Sequence, residues 1–222
     1  MERSDLFITS KLGPKNQGRG KCREAFLKTL SDLQVSYLDL YLIHWPGAQG
    51  MKPEDDRHSE LRKGSWLDMQ ELCREGKVRS IGVSNYTQTH LEELLSFCDI
   101  KPSVLQVEHH PHLQQNELRD FCRQHGIHFQ AYSSLGTSSE DRKLLNDPAV
   151  KVIAAKHGIS PAQVLLRWAV QQGIGVIPKS THPDHIAENL NIFDVDLSPS
   201  DMIQIHALNQ ELHYCWNPAT IT

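Results

Sequence analysis

The chain has 222 residues, enough to bury one sizeable core or two small ones. Its 39% hydrophobic and 23% charged content is that of an ordinary soluble globular protein, and a formal net charge of -4 offers no footing for nucleic acid or an anionic membrane. No apolar run approaches the ~20 residues of a membrane span, and the opening MERSDLFITS lacks the basic-then-apolar layout of a secretion signal, so the expected compartment is the cytoplasm.

The elements follow one another with short connections. Asp5 to Lys11 reads as a strand. Gly20 to Gln34 reads as a helix with Cys22, Ala25, Phe26, Thr29, Leu30 and Leu33 in one stripe. Tyr37 to Ile43 is a second strand, closed by His44, Trp45 and Pro46. A polar loop, Gly47 to His58, leads to a helix in which Trp66, Met69 and Cys73 recur at helical spacing. That helix ends in a turn at Gly76, and Lys77 to Val83 alternates into a strand. A helix over Thr87 to Cys98, a strand over Val104 to Glu108, a helix over Gln114 to His125 and a strand over His128 to Tyr132 follow. Asp147-Pro148 starts a helix reaching about His157, and Ser160-Pro161 starts another ending near Gly173. Ile174 to Ile177 is the last strand, and Pro183 to Leu190 and Pro199 to Leu208 are closing helices. The five cysteines (Cys22, Cys73, Cys98, Cys122, Cys215) lack any CxxC pair and read as reduced thiols.

Six strands, each separated from the next by helix, imply a parallel sheet with helices outside. An open dinucleotide-binding sheet should carry GxGxxG after an early strand. GRGKC, Gly18 to Cys22, does not, so the sequence favours part of a (β/α)8 barrel. Such a barrel needs eight units and typically about 250 residues.

A barrel collects its chemistry at the C-terminal ends of its strands. In order those ends are Lys11, His44, Ser84-Asn85, Gln106 to Glu108, Tyr132-Ser133 and Lys179-Ser180, all polar. Singly, each has a bland reading: a solvated strand end, a satisfied interior histidine, ordinary aromatic packing. Jointly they form one crown. The cluster Glu108, His109, His110 and His112 is rich in metal-ligand types. Strand alternation nevertheless sends 108 and 110 to one side and 109 to the other, and no HExxH or cysteine cluster accompanies it, so no metal is expected.

The string MQELCREGKVRSIGVSNY, Met69 to Tyr86, resembles the internal signature of the aldo-keto reductases, and the resemblance extends from about Asp5 to Pro218. It implies a single oxidoreductase domain of the compact, short-loop kind. The implied reaction reduces aldehydes or ketones to alcohols by hydride transfer from a nicotinamide. By the same resemblance Lys11, in ITSKL, is the catalytic lysine, and His44, in YLIHWP, is the histidine that orients the carbonyl oxygen. Ser84, Asn85 and Gln106 match residues that hydrogen-bond the nicotinamide carboxamide, and Tyr132 matches the ring that stacks on it. Ser133, Leu135 and Thr137 lie in the loop matching the pyrophosphate wrap. In IPKSTHPDHIAEN, Lys179 and Ser180 would meet the 2′-phosphate, while Glu188 and Asn189 would hold the adenine. Trp45 and Trp216 resemble pocket walls.

The chain departs from the pattern in three places. His185 stands where the family has an arginine on the 2′-phosphate, so NADPH is the expected cofactor with NADH also open. Leu105 replaces a polar residue before the strand glutamine. The family's catalytic tyrosine and the aspartate paired with its lysine lie on the first two βα units, which the match does not include; none of Tyr37, Tyr41, Tyr86, Tyr132 or Tyr214 falls in that motif. The expectation is therefore a (β/α)8 barrel lacking its first two units, with little activity of its own and with Ile8, Ile43, Val83 and Val176 bared. The implied partner is a small carbonyl substrate, with no nucleic acid or membrane, and the full-length form is expected to be monomeric. The rival readings are a non-catalytic nicotinamide-nucleotide-binding module and an inactive alternative-start fragment.

Overall fold

A computed structural model describes residues 2–137 and 143–222. In chain order the elements are β1 (Thr9–Leu12), α1 (Lys21–Leu33), β2 (Leu38–Ile43), α2 (Arg57–Arg74), β3 (Val78–Ser84), α3 (Gln88–Phe97), β4 (Val104–Glu108), α4 (Asn116–His125), β5 (His128–Tyr132), α5 (Lys143–Asn146), α6 (Pro148–His157), α7 (Pro161–Val170), β6 (Gly175–Val176), α8 (Pro183–Leu190) and α9 (Pro199–His206). This is an α/β fold whose described strand pairings are parallel. The chain divides into two compact units. One holds residues 1–106, 121–127 and 217–222; the other holds 107–120 and 128–216.

In the first unit β1 pairs with β2, β2 with β3 and β3 with β4. All six residues of β2, LDLYLI, are buried, as expected of a strand covered on both faces. The charge within it, Asp39, is 1% exposed. Burial pushes its carboxyl up, but the Ile8 amide at 2.9 Å and the Arg3 guanidinium at 2.7 Å outweigh that, with Arg79 at 3.1 Å, and hold it below the ordinary range. Asp39 thus fastens the segment before β1 to β2.

That fastening corrects the expected first strand. Arg3–Asp5 is a 3-10 turn, and pairing starts only at Thr9: the Arg3 guanidinium and the Ile8 amide go to the Asp39 carboxylate, while the Ile8 carbonyl already accepts from the Asp39 and Leu40 amides of β2. Ile43 and Val83 are fully buried instead of bared, and Ile8 is half-buried. On α2 the inward stripe is Trp66, Met69 and Leu72, while Cys73 is half-buried; on α1, Leu33 is exposed.

β3 and β4 approach closely at Gly82. A Cβ there would sit 2.4 Å from the Val104 carbonyl oxygen and 2.8 Å from a Leu42 methyl. The end of the chain also belongs to this unit: His90 Nε2 meets the Ile221 carbonyl at 3.0 Å, and Arg62 donates to the Thr222 carbonyl at 2.6 Å.

In the second unit β5 pairs with β6, Gln130 opposite Gly175. Its helices start where sequence chemistry places caps. Asp147 accepts from Ala149 and Val150 with Pro148 at the first position, and Ser160–Gln163 and Ser198–Asp201 form reciprocal capping boxes. Buried Asp201 also takes Lys156 and His157, each at 2.8 Å, which joins α9 to α6. β6 keeps only Gly175 and Val176 of the four residues expected, with Val176 half-buried. No helix among the described residues is long and apolar enough to cross a membrane.

Gly82→Ala is expected to destabilise the chain by about 1–3 kcal/mol, because the Val104 carbonyl is backbone and cannot rotate away. Urea unfolding checks this. A loss below about 0.5 kcal/mol, the usual range of a neutral surface change, would show that β3 and β4 can separate at little cost.

Candidate active site

The C-terminal tips of the first four strands are tied together by backbone and side-chain hydrogen bonds. The His44 amide donates to the Leu12 carbonyl at 3.1 Å, the Asn85 side-chain amide donates to the His44 carbonyl at 2.9 Å, and the Asn85 amide donates to the Gln106 carbonyl at 3.0 Å. Asn85 takes φ +62, a left-handed conformation that asparagine tolerates better than most side chains. The turn it makes lets Nδ2 reach both the His44 carbonyl and, at 3.2 Å, Ser84 Oγ. Ser84, Asn85 and Gln106 are all 3% exposed or less. The relay therefore gathers Lys11, His44, Ser84, Asn85 and Gln106, five of the residues picked from the sequence, at one end of the first unit. Trp45 is there too, its ring centroid 6.2 Å from that of His44.

Two basic side chains, Lys11 and His44, meet at this end. Lys11 is half-buried, and burial lowers its ammonium pKa. Burial likewise lowers that of His44, and the Lys11 charge lowers it further, so the imidazole is neutral at pH 7. The buried carboxylates Asp39 and Asp201 carry ion pairs with arginine and lysine, but Lys11 makes none among the described residues. A half-buried cation without a structural partner at a strand tip marks a functional group more than a structural one.

The remaining candidates lie in the second unit. Tyr132 ends β5, and burial raises its phenol pKa. Ser133 follows at φ +53, its hydroxyl 3.7 Å from Cys215 Sγ and its carbonyl accepting from Gly136. Leu135 and Thr137 are half-buried in the same turn. Lys179 is exposed after β6. Ser180 accepts from the His182 amide at 3.0 Å, and His182 and His185 stand ring to ring at 5.0 Å at the start of α8. Glu188 and Asn189 are half-buried on that helix, and Trp216 is 53% exposed.

The sequence reading missed two features here. Ser134 Oγ is buried without a hydrogen-bond partner among the described residues, and its only signal was its place beside Ser133. Glu108, which the sequence places in the strand-end crown and in the EHHPH stretch without assigning it a partner, is a hub. It pairs with His110 at 2.9 Å, as alternation required, while His109 turns the other way and stacks on Trp168 at 5.1 Å. All five cysteines are unpaired.

Comparison with known proteins decides the family. The pattern of the Aldo/keto reductase family matches residues 1–210. The chain belongs to the aldo/keto reductase family. It is 46% identical over 216 residues to the glyoxal reductase of Bacillus subtilis (strain 168), covering 97% of this chain and 73% of that protein. To aldo-keto reductase family 1 member A1 of Bos taurus it is 41% identical over 230 residues, 96% and 70% of the two chains. Among solved structures it is similar to MGS-M4, an aldo-keto reductase enzyme from a Medee basin deep-sea metagenome library, with TM-score 0.88 and 36% identity over 96% of this chain and 74% of that one. An aldo/keto reductase from Brucella melitensis gives TM-score 0.85 at 41% identity, covering 94% and 76%. Membership makes this aldo/keto reductase an oxidoreductase by family. It supports carbonyl reduction in general and does not favour the non-catalytic reading.

The closeness of Lys11 to His44 has a titratable consequence. In an NMR titration the His44 ring is expected to protonate below pH 6.5, the ordinary histidine value. Lys11→Met should move that midpoint upward, since it removes a like charge while leaving the burial. An unchanged midpoint would show that the Lys11 ammonium lies too far from His44 to share a site with it.

Proposed function

We propose that this chain carries the carbonyl and cofactor residues of an NAD(P)H-dependent reductase of small aldehydes and ketones, built on a (β/α)8 scaffold and working in the cytoplasm as a monomer. The observation that carries the proposal is the half-buried Lys11 ammonium beside the neutral His44 imidazole, held in place by the strand-tip relay.

The residues present suit a nicotinamide dinucleotide. Ser84, Asn85 and Gln106 offer a buried hydroxyl and two amides, the groups that pair with a carboxamide. Tyr132 offers a ring, and the orphaned Ser134 hydroxyl beside left-handed Ser133 leaves a polar group for a polar ligand. Following the family resemblance, Lys179, Ser180 and His185 take the 2′-phosphate, and Glu188 and Asn189 take the adenine. Because His185 replaces an arginine, the preference for NADPH over NADH is weaker than a guanidinium would give.

A reduced nicotinamide supplies the hydride. Neutral His44 presents a ring N–H to the carbonyl oxygen and fixes its direction. As that oxygen gains charge, the Lys11 ammonium lowers the cost, and its partial burial strengthens the effect. Trp45 walls the substrate side in the first unit, and Trp216 is assigned the same task in the second. A binding module without turnover would use Ser84, Asn85 and Gln106 but would have no need of an unpaired cation at Lys11.

Hydride addition leaves an alkoxide that still needs a proton, which by the family resemblance a tyrosine phenol donates. None of the first unit's tyrosines falls in the family's donor motif, and their rings pack into the structure: Tyr37 lies under the Arg3 and Arg79 guanidiniums at 3.9 and 4.5 Å, Tyr41 packs edge-on to Phe26 at 4.9 Å, and Tyr86 packs against His90 at 5.5 Å. Loss of a positioned general acid costs about 10²–10⁴-fold, so the 222-residue chain should reduce an aromatic aldehyde at least about 100-fold more slowly than the Bacillus subtilis glyoxal reductase. Lys11→Met should lower the remaining rate about tenfold or more while leaving NADPH affinity within about twofold. NADPH oxidation and fluorescence titration measure the two quantities. Turnover within tenfold of the relative would mean a donor is already in place; loss of NADPH binding in step with rate would make Lys11 structural.

A further inference from the structure

The turn after β1 and the turn after β2 are bonded to one another by a side chain that the chemistry above leaves unused. Pro14–Asn16 is a 3-10 turn, and Gln17 follows it, 3% exposed. Its Nε2 donates to the Trp45 carbonyl at 2.8 Å and to the Gly47 carbonyl at 2.9 Å. Both N–H groups of the amide are thereby spent on the stretch that begins at His44. Its Oε1 is buried without a hydrogen-bond partner among the described residues, so the two donations alone fix how the group is turned. The backbone beside Gln17 is anchored in turn. The Gly18 amide donates to Ser65 Oγ of α2 at 2.8 Å, and the Gly20 amide donates to Asp68 Oδ2 of the same helix at 2.7 Å.

Successive residues of the β2 exit are captured one after another. The His44 amide and carbonyl belong to the relay. The Trp45 and Gly47 carbonyls go to Gln17, and the Pro46 carbonyl accepts from buried Arg62 at 3.3 Å. The Ala48 amide donates to His58 Nδ1 at 3.0 Å, and the Gln49 amide donates to the Pro14 carbonyl at 3.2 Å. Residues 44–49 lie outside any helix or strand, so these bonds define their path. Beyond the relay, the Gln17 and Gln49–Pro14 bonds cross from the exit of β1, which carries Lys11, to the exit of β2, which carries His44.

We propose that Gln17 is a positioning residue: by tying the β2 exit to the β1 exit it keeps His44 beside Lys11 for the carbonyl chemistry. What that pair acts on rests on the reductase reading; the tie itself does not. All of its partners lie within the first unit. A carboxamide suits the place because one uncharged nitrogen carries two N–H groups, and the two carbonyls it meets have a single residue between them. Methionine keeps the length but offers no donor, and leaves both carbonyls short of that partner.

The test compares the unsubstituted chain with Gln17→Met and with the milder Gln17→Asn, whose amide is one methylene short. Each is prepared with and without Lys11→Met, and the His44 ring is titrated by NMR. With Gln17 in place, Lys11→Met raises the His44 midpoint. In Gln17→Met that rise should shrink to about half or less, because the two side chains are no longer held together. Hydrogen exchange at the His44 and Ala48 amides should speed by at least about tenfold, as in a locally opened segment. With NADPH present, the residual reduction of 4-nitrobenzaldehyde should fall about threefold or more while the Kd for NADPH stays within about twofold. Gln17→Asn should move each quantity in the same direction by less. Circular dichroism guards against global unfolding: if Gln17→Met unfolds, Gln17→Asn decides the matter by the same readouts. An undiminished rise of the His44 midpoint, or unchanged exchange, would overturn the tie. A smaller rise with an unchanged reduction rate would overturn its part in the chemistry. Absence of NADPH binding in the unsubstituted chain would sink the reductase reading instead, and the titration and exchange arms would then decide the tie alone.

Discussion

The relay from Leu12 through His44 and Asn85 to Gln106 is the constraint on which the functional end of the first unit depends. Parallel strands carry evenly spaced, slanted bonds that end with the ladder, and beyond the last pair the chains would normally part. Here the bonding continues for one more residue at each tip, by backbone amide, side-chain amide and backbone amide in turn. Lys11, paired with Leu42 one residue before the end of β1, and His44, the first residue past β2, thereby inherit the rigidity of the sheet. Asn85 is the element with least freedom, because it must adopt φ +62 and still offer Nδ2. The close approach at Gly82 serves the same end from below, since β3 and β4 must be tight for Asn85 to reach the Gln106 carbonyl.

Charge is handled in two ways. Asp39, Asp201 and Glu108 are buried carboxylates, and each is surrounded by donors that keep it ionised: two guanidiniums and an amide, a lysine with a histidine and a serine cap, and two amides with a histidine. These groups join segments distant in sequence, Arg3 to Asp39 or Tyr214 to Glu108, and removing one partner would leave an uncompensated charge. Lys11 and His44 are the reverse case. Two groups of like sign share one half-buried place, and both are pushed toward their neutral forms. Such an arrangement stores no stability; under the proposed function it meets negative charge as that develops on a ligand.

Most of the fold was legible because its signals are local. The bounds of β4, β5 and α8 were read correctly, and Asp147-Pro148 and Ser160-Pro161 start helices through the side-chain caps their types imply. The misreadings have long-range causes. The first strand begins late because Asp39, more than thirty residues on, captures Arg3 and Ile8. β6 shortens to Gly175-Val176, and Leu72 rather than Cys73 faces inward on α2; residue type alone did not decide either. At the candidate site, strand-end reading with the family resemblance selects Lys11, His44, Ser84, Asn85 and Gln106, which the relay brings to one end of the first unit. It could not find the contacts of Glu108, whose partners lie about a hundred residues away and donate mainly through backbone amides that carry no signature in sequence.

The central claim is that the strand-tip relay presents the nicotinamide end of a reductase site. Chemical-shift mapping with NADPH tests it most directly, since it needs no turnover. On titration of the labelled chain, the Ser84, Asn85 and Gln106 amides and the His44 ring should shift together and saturate with a single Kd. Shifts confined to other residues, or none at concentrations that saturate the Bacillus subtilis relative, would contradict the account.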